Sequence, residues 1–324
     1  MRSFKTFRML TFITCLLSLS SYSYAQTWPN SSMTFVTPLA VGSASDVALR
    51  IVSEQLSKSL GQSILIDNQT GASGAIGAEK VANANPNGTV FCGCNNAILS
   101  VLPQLRKVPY NPAKSFKPIG MVAVLPTVLV VNADSPYKTV KDIVDFAKAN
   151  PGKIEYASGG VGSPQHIAMA MFESMAGIKF THVPYKGASQ AAVGVAGGEV
   201  PIMFNAIGTV LPLIKSGKLR PIAIAGSQRT PIMSDIPTVG ESGVPGYSYA
   251  SWVGIIGPAG LSDEIVAKLS GEILKTLAMP EIIKKLGDNG IDPYPMSASQ
   301  MSAFMAADYQ RMGRVIKEAG ISGD

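Results

Sequence analysis

The chain has 324 residues, of which 46% are hydrophobic and only 15% are charged, and these proportions exclude an intrinsically disordered protein. The length suggests about two domains, each large enough to bury a core of its own. The net charge of +6 comes without any run of Lys or Arg, which argues against a nucleic-acid-binding protein.

The first 25 residues have the three parts of a secretory signal peptide. Arg2, Lys5 and Arg8 supply a positive start, an apolar core follows, and Ala25 ends a cleavage site of small residues. The apolar core is about half the ~20 residues that a membrane span needs, so we predict cleavage and export to the periplasm. Three of the 27 basic residues lie in this leader, so the mature chain carries a net charge of +3.

Segments typical of strands and helices alternate along the rest of the chain, which predicts an α/β fold of mostly parallel sheets covered by helices. Strands are predicted over 33–38, 63–68, 89–94, 154–158, 179–185, 201–207 and 220–226. Helices are predicted over 44–60, 75–84, 141–150, 163–176, 188–196, 263–278 and 298–318. Parallel strands that are buried on both faces are nearly all apolar, which accounts in part for the low charge.

Two long apolar stretches could be mistaken for membrane spans. The stretch 191–214 carries a single charge, but two glycines and two prolines divide it into a helix, a strand and a turn. The stretch 119–131 is rich in β-branched residues and predicts one buried strand, or two strands that cross between domains.

Cys92 and Cys94 are two residues apart in a predicted strand, so their thiols should face the same side. A disulfide across one residue would be strained, and two thiolates without a nearby histidine do not make a zinc site. The pattern therefore favours buried free cysteines, although an oxidising periplasm permits both states. We expect neither a metal nor a cofactor.

No motif of the sequence predicts catalysis. Gly71, Gly74 and Gly77 follow a strand and open a helix, but their spacing is not that of a dinucleotide loop, and no acid lies about 20 residues on. A tight turn is the better interpretation. No nucleophile elbow, phosphate loop or zinc-protease motif occurs in the sequence, so we predict that the protein is not an enzyme.

Two Gly/Ser loops, at 38–46 and 158–163, join predicted strands to predicted helices. Their small residues should expose consecutive main-chain N–H groups at a helix N-terminus, which can hold a carboxylate without a counter-charge. Four serines could add hydroxyl donors or could serve only as helix N-caps: Ser43, Ser45, Ser158 and Ser163. Because one loop falls in each predicted domain, we expect a shared anion site.

The two histidines lie near the second loop in the sequence. His166, one turn into the helix, could donate to an anionic ligand or cap a carbonyl, and His182 in an alternating strand is interpreted as structural. Ser163 and His166 also leave open a secreted hydrolase, although no orienting acid is evident.

Five blocks of residues follow one another in order from Trp28 to the C-terminus. They are Pro38, Gly42, Asp46 and Arg50; residues 71–78, 81–82 and 86–88; residues 156–163 with His166; residues 182–187, 197–198 and 203–204; and residues 217–220, 235–238 and 243–246. In this order and spacing the blocks resemble the periplasmic solute receptors of the tripartite tricarboxylate transporter family, often called Bug receptors.

The resemblance implies a two-lobed periplasmic-binding-protein fold of the type II kind, with the ligand cleft between the lobes. We place lobe 1 at 26–126 and 228–324 and lobe 2 at 127–227. The resemblance further implies a monomer that passes a small carboxylate to the permease subunits of a membrane transporter.

The implied site fixes one carboxylate between the two loops, and variable positions meet the far end of the ligand. The ligand-binding residues expected in the loops are Leu39, Val41, Gly42, Ser43, Ala44, Ser45, Ser158, Gly162, Ser163 and His166. Those expected at the far end are Asn95, Asn96, Thr127, Asn205 and Thr209.

The chain departs from the family pattern at this site. Ala40, Val41 and Ser43 stand where the family usually has two prolines and a glycine, which makes the loop less rigid and adds a hydroxyl. Asn205 stands where an acid is frequent, and its amide avoids repelling a negative ligand. We therefore expect a di- or monocarboxylate ligand, aromatic acids such as terephthalate included. A ligand sensor for a signalling partner would share this fold and site, so that alternative stays open.

Overall fold

The computed structural model describes residues 28–323, which form ten β-strands and ten α-helices. The strands are β1 Met33–Thr37, β2 Ile64–Asn68, β3 Val90–Asn95, β4 Phe116–Asn132, β5 Glu155–Ser158, β6 Thr181–Pro184, β7 Ile202–Ala206, β8 Leu219–Ile224, β9 Ala250–Pro258 and β10 Asp292–Met296. The helices are α1 Ala44–Leu60, α2 Ala75–Ala82, α3 Leu102–Leu105, α4 Val140–Ala149, α5 Pro164–Ala176, α6 Ala188–Ala196, α7 Ile207–Lys215, α8 Asp263–Leu277, α9 Pro280–Gly287 and α10 Ala298–Glu318. The predicted signal peptide lies outside the described residues.

The strands form one curled sheet with two halves that share β4. The first half runs β2-β1-β3-β9-β4, with β10 also pairing with β4, and the second half runs β4-β7-β5-β6, with β8 on β4. The pairs β1–β2, β1–β3, β5–β6 and β5–β7 are parallel. The strands around β4 are antiparallel, so the predicted parallel arrangement holds for the outer strands of each half.

Strand β4 changes partners in its middle. Its residues from Phe116 to Pro126 pair with β9, whereas its residues from Thr127 onward pair with β7 and β8. Of the two alternatives for the stretch 119–131, the single buried strand is confirmed. Its β-branched, apolar residues are buried on both faces because helices cover the sheet on each side.

The first half of the sheet has a hydrophobic core on each face. One core joins Phe35 of β1 and Ile255 of β9 to Leu49 of α1 and Leu269 of α8. The other contains Trp252 with the rest of its group: Val36, Ala75, Ala78, Val81, Cys92, Cys94, Ile98, Leu99, Leu102, Tyr110, Phe116, Met121, Ile256 and Met301. Both faces of this half are therefore withdrawn from water.

The second half also has two cores, and one of them recruits residues from a loop and from the C-terminal helix. Val239, Val244, Tyr247 and Tyr249 pack with the side chains of α4 and α5, and the Tyr247 hydroxyl donates to the main-chain oxygen of Ala168 (2.8 Å). The helix α10 contributes Met301 to a core of the first half and Met312 to this core of the second. Helix α10 therefore bridges the two halves.

The best-predicted helices have recognisable ends. Helix α1 begins after the N-cap Ser43 and ends at Gly61, whose left-handed φ of 67° few other residues adopt without strain. Helix α10 begins with a capping box made by Ser297 and Gln300. The bounds of both helices agree with the sequence prediction.

Several elements differ from the sequence prediction. Helix α7 replaces an expected turn, because burial of Ile207, Val210 and Leu211 outweighs the unfavourable Pro212 in its interior. The strands β9 and β10 and helix α9 were not predicted at all. Within residues 28–323, no helix is both long enough and apolar enough to span a bilayer.

Cys92 and Cys94 form a disulfide, so the expectation of free cysteines is wrong. Both residues are fully buried in β3 and face the same side of the strand, and their Cα atoms are 5.5 Å apart. This separation lies within the range of about 4.4–6.8 Å that disulfides usually span.

We predict that the protein without its predicted signal peptide contains no free thiol, because Cys92 and Cys94 are the only cysteines in residues 26–324. Unreduced protein that is denatured and treated with an alkylating reagent should keep its intact mass, and reduction should allow two additions. The variant Cys92→Ser should accept one addition without reduction. Two additions to unreduced wild-type protein would contradict the disulfide.

Candidate functional site

A cavity of about 440 Å³ lies between the two halves of the sheet, over the middle of β4. Its lining comes mainly from the loops that follow the carboxyl ends of the parallel strands β1, β2, β3, β5, β6 and β7. Strand β4 contributes Leu125 and Thr127, which flank the point where it changes partners. Open α/β sheets bind their ligands at this edge, so we take the cavity as the candidate site.

The lining of the cavity is almost uncharged. Among the described residues that line it there is no Asp or Glu, and the one charged residue is Lys186, which is exposed to solvent. The lining contains residues with hydroxyl and amide groups and also apolar side chains such as Leu39, Ile98 and Leu125. An anion in this cavity would meet dipoles and a single positive charge, and no carboxylate would repel it.

Most N–H groups of the first Gly/Ser loop already donate to acceptors within the protein. The amide of Ser43 donates to the Ala40 oxygen (3.1 Å), and the amide of Ala44 donates to Thr209 Oγ1 (2.9 Å). Ser43 Oγ is the N-cap and accepts from the Asp46 amide (3.3 Å). The sequence predicts consecutive free N–H groups in this loop, but the amides of residues 42–44 and 46 already donate to acceptors of the protein. Among residues 42–46, only the Ser45 amide is free to donate to a ligand.

The second loop has the same arrangement. Ser163 Oγ is the N-cap of α5 and accepts from the His166 amide (3.4 Å), and Pro164 has no N–H to offer. The Gly162 amide donates to Nδ1 of His166 (3.1 Å). In each loop the lining of the cavity includes a capped helix N-terminus and its N-cap serine, and an N-cap hydroxyl that accepts a bond still has its own proton to donate.

Nine of the fifteen predicted ligand-binding residues line the cavity: Leu39, Ser43, Ala44, Ser45, Asn95, Thr127, Ser163, Asn205 and Thr209. Six are not part of its lining: Val41, Gly42, Asn96, Ser158, Gly162 and His166. The structure thus brings together four of the six residues expected in the first loop and four of the five expected at the far end, but only Ser163 of the four expected in the second loop.

The first three of the six support the lining or point away from it. Val41 faces solvent with 64% of its surface exposed, and the Gly42 amide is bound by Asp46 (3.0 Å). Asn96 lies one layer behind, where its Oδ1 accepts from the Ser251 hydroxyl (2.5 Å).

The other three lie on the far side of the second loop. Gly162 faces Leu105, and the Ser158 hydroxyl bonds to Nε2 of His182 at 2.5 Å. The ring of His166 stacks on the ring of His182, with centroids 4.5 Å apart, beside a separate cavity of about 220 Å³. His166 therefore does not meet a ligand of the main cavity.

The Ser163–His166 pair lacks the geometry of a hydrolase. The imidazole of His166 accepts from the Gly162 amide and stacks on His182, and it is the main-chain amide of His166 that contacts the Ser163 hydroxyl. Burial, and then the nearby His182, lowers the pKa of His166 to about 4. Within residues 28–323, no group of three His, Cys, Asp or Glu side chains could hold a metal ion.

Asp46 anchors the first loop from below. Its carboxylate accepts from the Gly42 amide (3.0 Å), from Nε of Arg50 (3.0 Å) and from Nδ2 of Asn68 (2.9 Å). Burial raises the pKa of Asp46, but the bonds from Arg50, Asn68 and Gly42 outweigh it and hold the pKa below its usual value. Asp46 is therefore a charged, buried support for the loop and not a group that meets a ligand.

Hydrogen bonds cross the cavity between the two halves of the sheet. They are Ala44 N to Thr209 Oγ1 (2.9 Å), Ser189 Oγ to the Val41 oxygen (3.1 Å) and Ser73 Oγ to the Val161 oxygen (3.1 Å). Each joins a loop of the first half to an element of the second. The halves are thus drawn together around the cavity.

Sequence reasoning missed several lining residues, among them Gln165, Lys186 and Ser251. Gln165 lies between the predicted Ser163 and His166, and its position in the first turn of α5 is the signal that could have identified it. Ser251 belongs to β9, a strand that the sequence did not predict.

Comparison with known proteins finds a matching receptor family and several solved structures of similar fold. A family model described as the tripartite tricarboxylate transporter family receptor matches residues 48–321. An R. palustris protein solved with adipate is 33% identical, with a TM-score of 0.89 over 91% of this chain and 99% of that one. A periplasmic binding protein called BugD is 29% identical, with a TM-score of 0.86 over 91% and 99%.

A further solved structure is MatC from Rhodopseudomonas palustris with bound malate, 27% identical and with a TM-score of 0.84 over 89% of this chain and 100% of that one. These likenesses confirm the predicted fold class, the two-lobed α/β architecture of periplasmic binding proteins. The match extends over almost the whole of each solved chain.

We predict that Asp46→Ala destabilises the protein by about 1–3 kcal/mol, because it leaves three donors without their acceptor. Urea unfolding should show a lower midpoint with an unchanged slope. The matched control is Asp67→Ala, which removes a more exposed ion pair with Lys80 and should cost less than about 1 kcal/mol. Equal costs for the two variants would contradict the anchoring role of Asp46.

We also predict that His166 makes stability fall with acid. Its pKa is about 4 in the folded chain and about 6.5 in an unfolded one, so the unfolded state binds more protons between these values. The free energy of unfolding should therefore decrease as the pH falls from about 6.5 to about 4.

The comparison of wild type with His166→Gln isolates this contribution, because other groups titrate in the same range. Burial raises the pKa of the half-buried Glu173, which opposes the effect of His166, and lowers the pKa of His182, which adds to it; both residues are present in both proteins. Urea unfolding at several pH values should give a shallower decline for the variant. Parallel declines would show that His166 is not the cause.

Proposed function

The chain belongs to the tripartite tricarboxylate transporter receptor family, and from this premise we propose that it is a periplasmic receptor that captures a small organic carboxylate. The family is one of solute receptors and not of enzymes. In the proposal, the loaded receptor presents its cargo to the permease subunits of a tripartite transporter, and the receptor itself acts as a monomer.

The observation that carries the proposal is the neutral cavity between two capped helix N-termini. The N-terminal ends of α1 and α5 both reach it, and the partial positive charge of each helix dipole favours an anion there. Ser43 and Ser163 supply hydroxyl protons from opposite halves. A carboxylate has two oxygens and can accept from both sides at once.

The size and lining of the cavity suit a small acid with an apolar body. Its 440 Å³ lies towards the lower end of the usual range for small-molecule sites. Two relatives were solved with adipate and malate, which are both small dicarboxylates. Leu39, Ile98 and Leu125 offer apolar contact to a methylene chain or to an aromatic ring, and an aromatic ligand such as terephthalate stays a prediction.

Within the described residues we propose lobes at 28–126 with 250–323 and at 127–249. We keep the first crossing at the place that the sequence predicts, and its support is the change of pairing partner between Pro126 and Thr127. We move the second crossing from 227–228 to 249–250, because Val239 and Tyr247 pack in the core of the second half.

We also propose that the protein is located in the periplasm, and the support is its kinship with periplasmic receptors and the predicted leader. The relative BugD is described as a periplasmic binding protein. Cleavage after Ala25 would release the mature chain there.

We predict that Ser163→Asp abolishes carboxylate binding without unfolding the protein. Aspartate is as good an N-cap as serine, but its charge would face the bound anion, and repulsion of this size lowers affinity by at least about 100-fold. A thermal-shift screen of aliphatic and aromatic carboxylates, adipate and malate included, selects the ligand. Calorimetry then compares the two proteins.

The matched control is Ser297→Asp, the same change at the N-cap of α10, outside the lining of the cavity. It should keep both the melting temperature and the affinity of the wild type. Unchanged affinity in Ser163→Asp would contradict the placement of the carboxylate, and a screen in which no carboxylate binds would contradict the receptor function.

A further inference from the structure

Gln165 presents an unused acceptor to the cavity. It is the second residue of α5, lines the cavity and is only 5% exposed. Its Nε2 donates to Oδ1 of Asn205 (3.0 Å). Its Oε1 is fully buried and has no hydrogen-bond partner among residues 28–323. A buried acceptor without a partner is costly, and the residue that carries this one lines the cavity.

The orientation of this amide follows from main-chain groups that cannot exchange roles. Nδ2 of Asn205 donates to the Ala188 oxygen (3.0 Å), and Oδ1 of Asn205 accepts from the Ala206 amide (2.9 Å). A carbonyl only accepts and an N–H only donates, so the Asn205 amide cannot be turned over. Gln165 must therefore offer its NH₂ group to Asn205, which leaves Oε1 as the group without a partner.

The Ala188 amide is a free donor that lies near Gln165 Oε1, and we call the place between these two groups the gap. The helix α6 has nine residues, begins at Ala188 and has no side-chain cap, because its N-cap is Gly187. Ala188 N and Gln165 Oε1 lie 3.0 Å and 3.1 Å from the point that a Cβ on Gly159 would occupy. A Cβ at Gly159 would therefore press against both groups, and the absence of a side chain there allows a donor and an acceptor to lie close together at the wall of the cavity.

We propose that this gap, between Gln165 Oε1 and the Ala188 amide, is a subsite for an uncharged ligand group that donates and accepts hydrogen bonds. The group is a hydroxyl or a carboxamide carried by the carboxylate ligand, so this inference rests on the proposed function. An ionised carboxylate would be repelled by Oε1, and a methylene group would leave both partners unpaired.

Calorimetry with matched acids tests the subsite. The pairs are malate with succinate and 3-hydroxybutyrate with butyrate, which differ by one hydroxyl. The hydroxy acid of at least one pair should bind about tenfold more tightly, because pairing a buried acceptor is worth about 1–3 kcal/mol and 1.4 kcal/mol corresponds to tenfold. Succinamate, compared with succinate, tests the carboxamide.

The variant Gln165→Met removes Oε1 and keeps the length of the side chain. It should reduce the preference for the hydroxy acid to less than about twofold and leave the affinity for the plain acid unchanged. Gly159→Ala fills the gap from the other side and should also remove the preference. The control Gln190→Met makes the same change at an exposed position of α6 outside the lining and should keep the preference.

The outcomes separate this inference from the receptor function. Equal binding of both members of every pair, the carboxamide included, overturns the subsite and leaves the receptor function in place. A preference that survives in Gln165→Met also overturns it, because the donor would then be recognised elsewhere. If no carboxylate of the screen or of the pairs binds, the receptor function fails, and the subsite fails with it.

Discussion

The strand Phe116–Asn132 belongs to both halves of the sheet, so its hydrogen-bond ladder determines where every other element lies. Its first part pairs with β9 and its second with β7 and β8, and two cores form on each side of the change. The carboxyl ends of the outer parallel strands then converge over Leu125 and Thr127. The cavity is a consequence of this shared strand, because no single half could enclose it.

The same geometry explains how the cavity can suit an anion with so little charge. The helices α1 and α5 begin at its wall, where their dipoles favour an anion, and Ser43 and Ser163 cap those helix ends while each hydroxyl keeps a proton to donate. The charged groups lie behind the lining, where the buried Asp46 carboxylate supports the loop and forms an ion pair with Arg50. This division leaves Lys186 as the one charged residue in the described lining, so selection among acids depends mainly on shape and hydrogen bonding.

Features that depend on local chain chemistry could be predicted from the sequence, and features that depend on side-chain direction could not. Helix α1 could be predicted from its N-cap Ser43 and its C-cap Gly61, and the Gly/Ser loops could be predicted from their composition. His166 shows the limit, because its place near the loop is local whereas the stacking that turns its ring to His182 is tertiary. The disulfide, helix α7 and strand β9 likewise depend on burial and pairing with distant segments.

In the proposed receptor, the ligand decides whether the two halves close over the cavity. The bonds that cross between the halves, such as Ser189 to Val41 and Ser73 to Val161, are neutral and solvent-exposed, and each contributes only about 0.5–1.5 kcal/mol. Their sum is comparable to the cost of ordering the loops that make them. A ligand that bridges Ser43 and Ser163 contacts both halves only when they are closed, so it supplies the differential free energy that shifts the population. A gap such as the one beside Gln165 then adds selectivity, because an acid that leaves it unpaired gains less from closure.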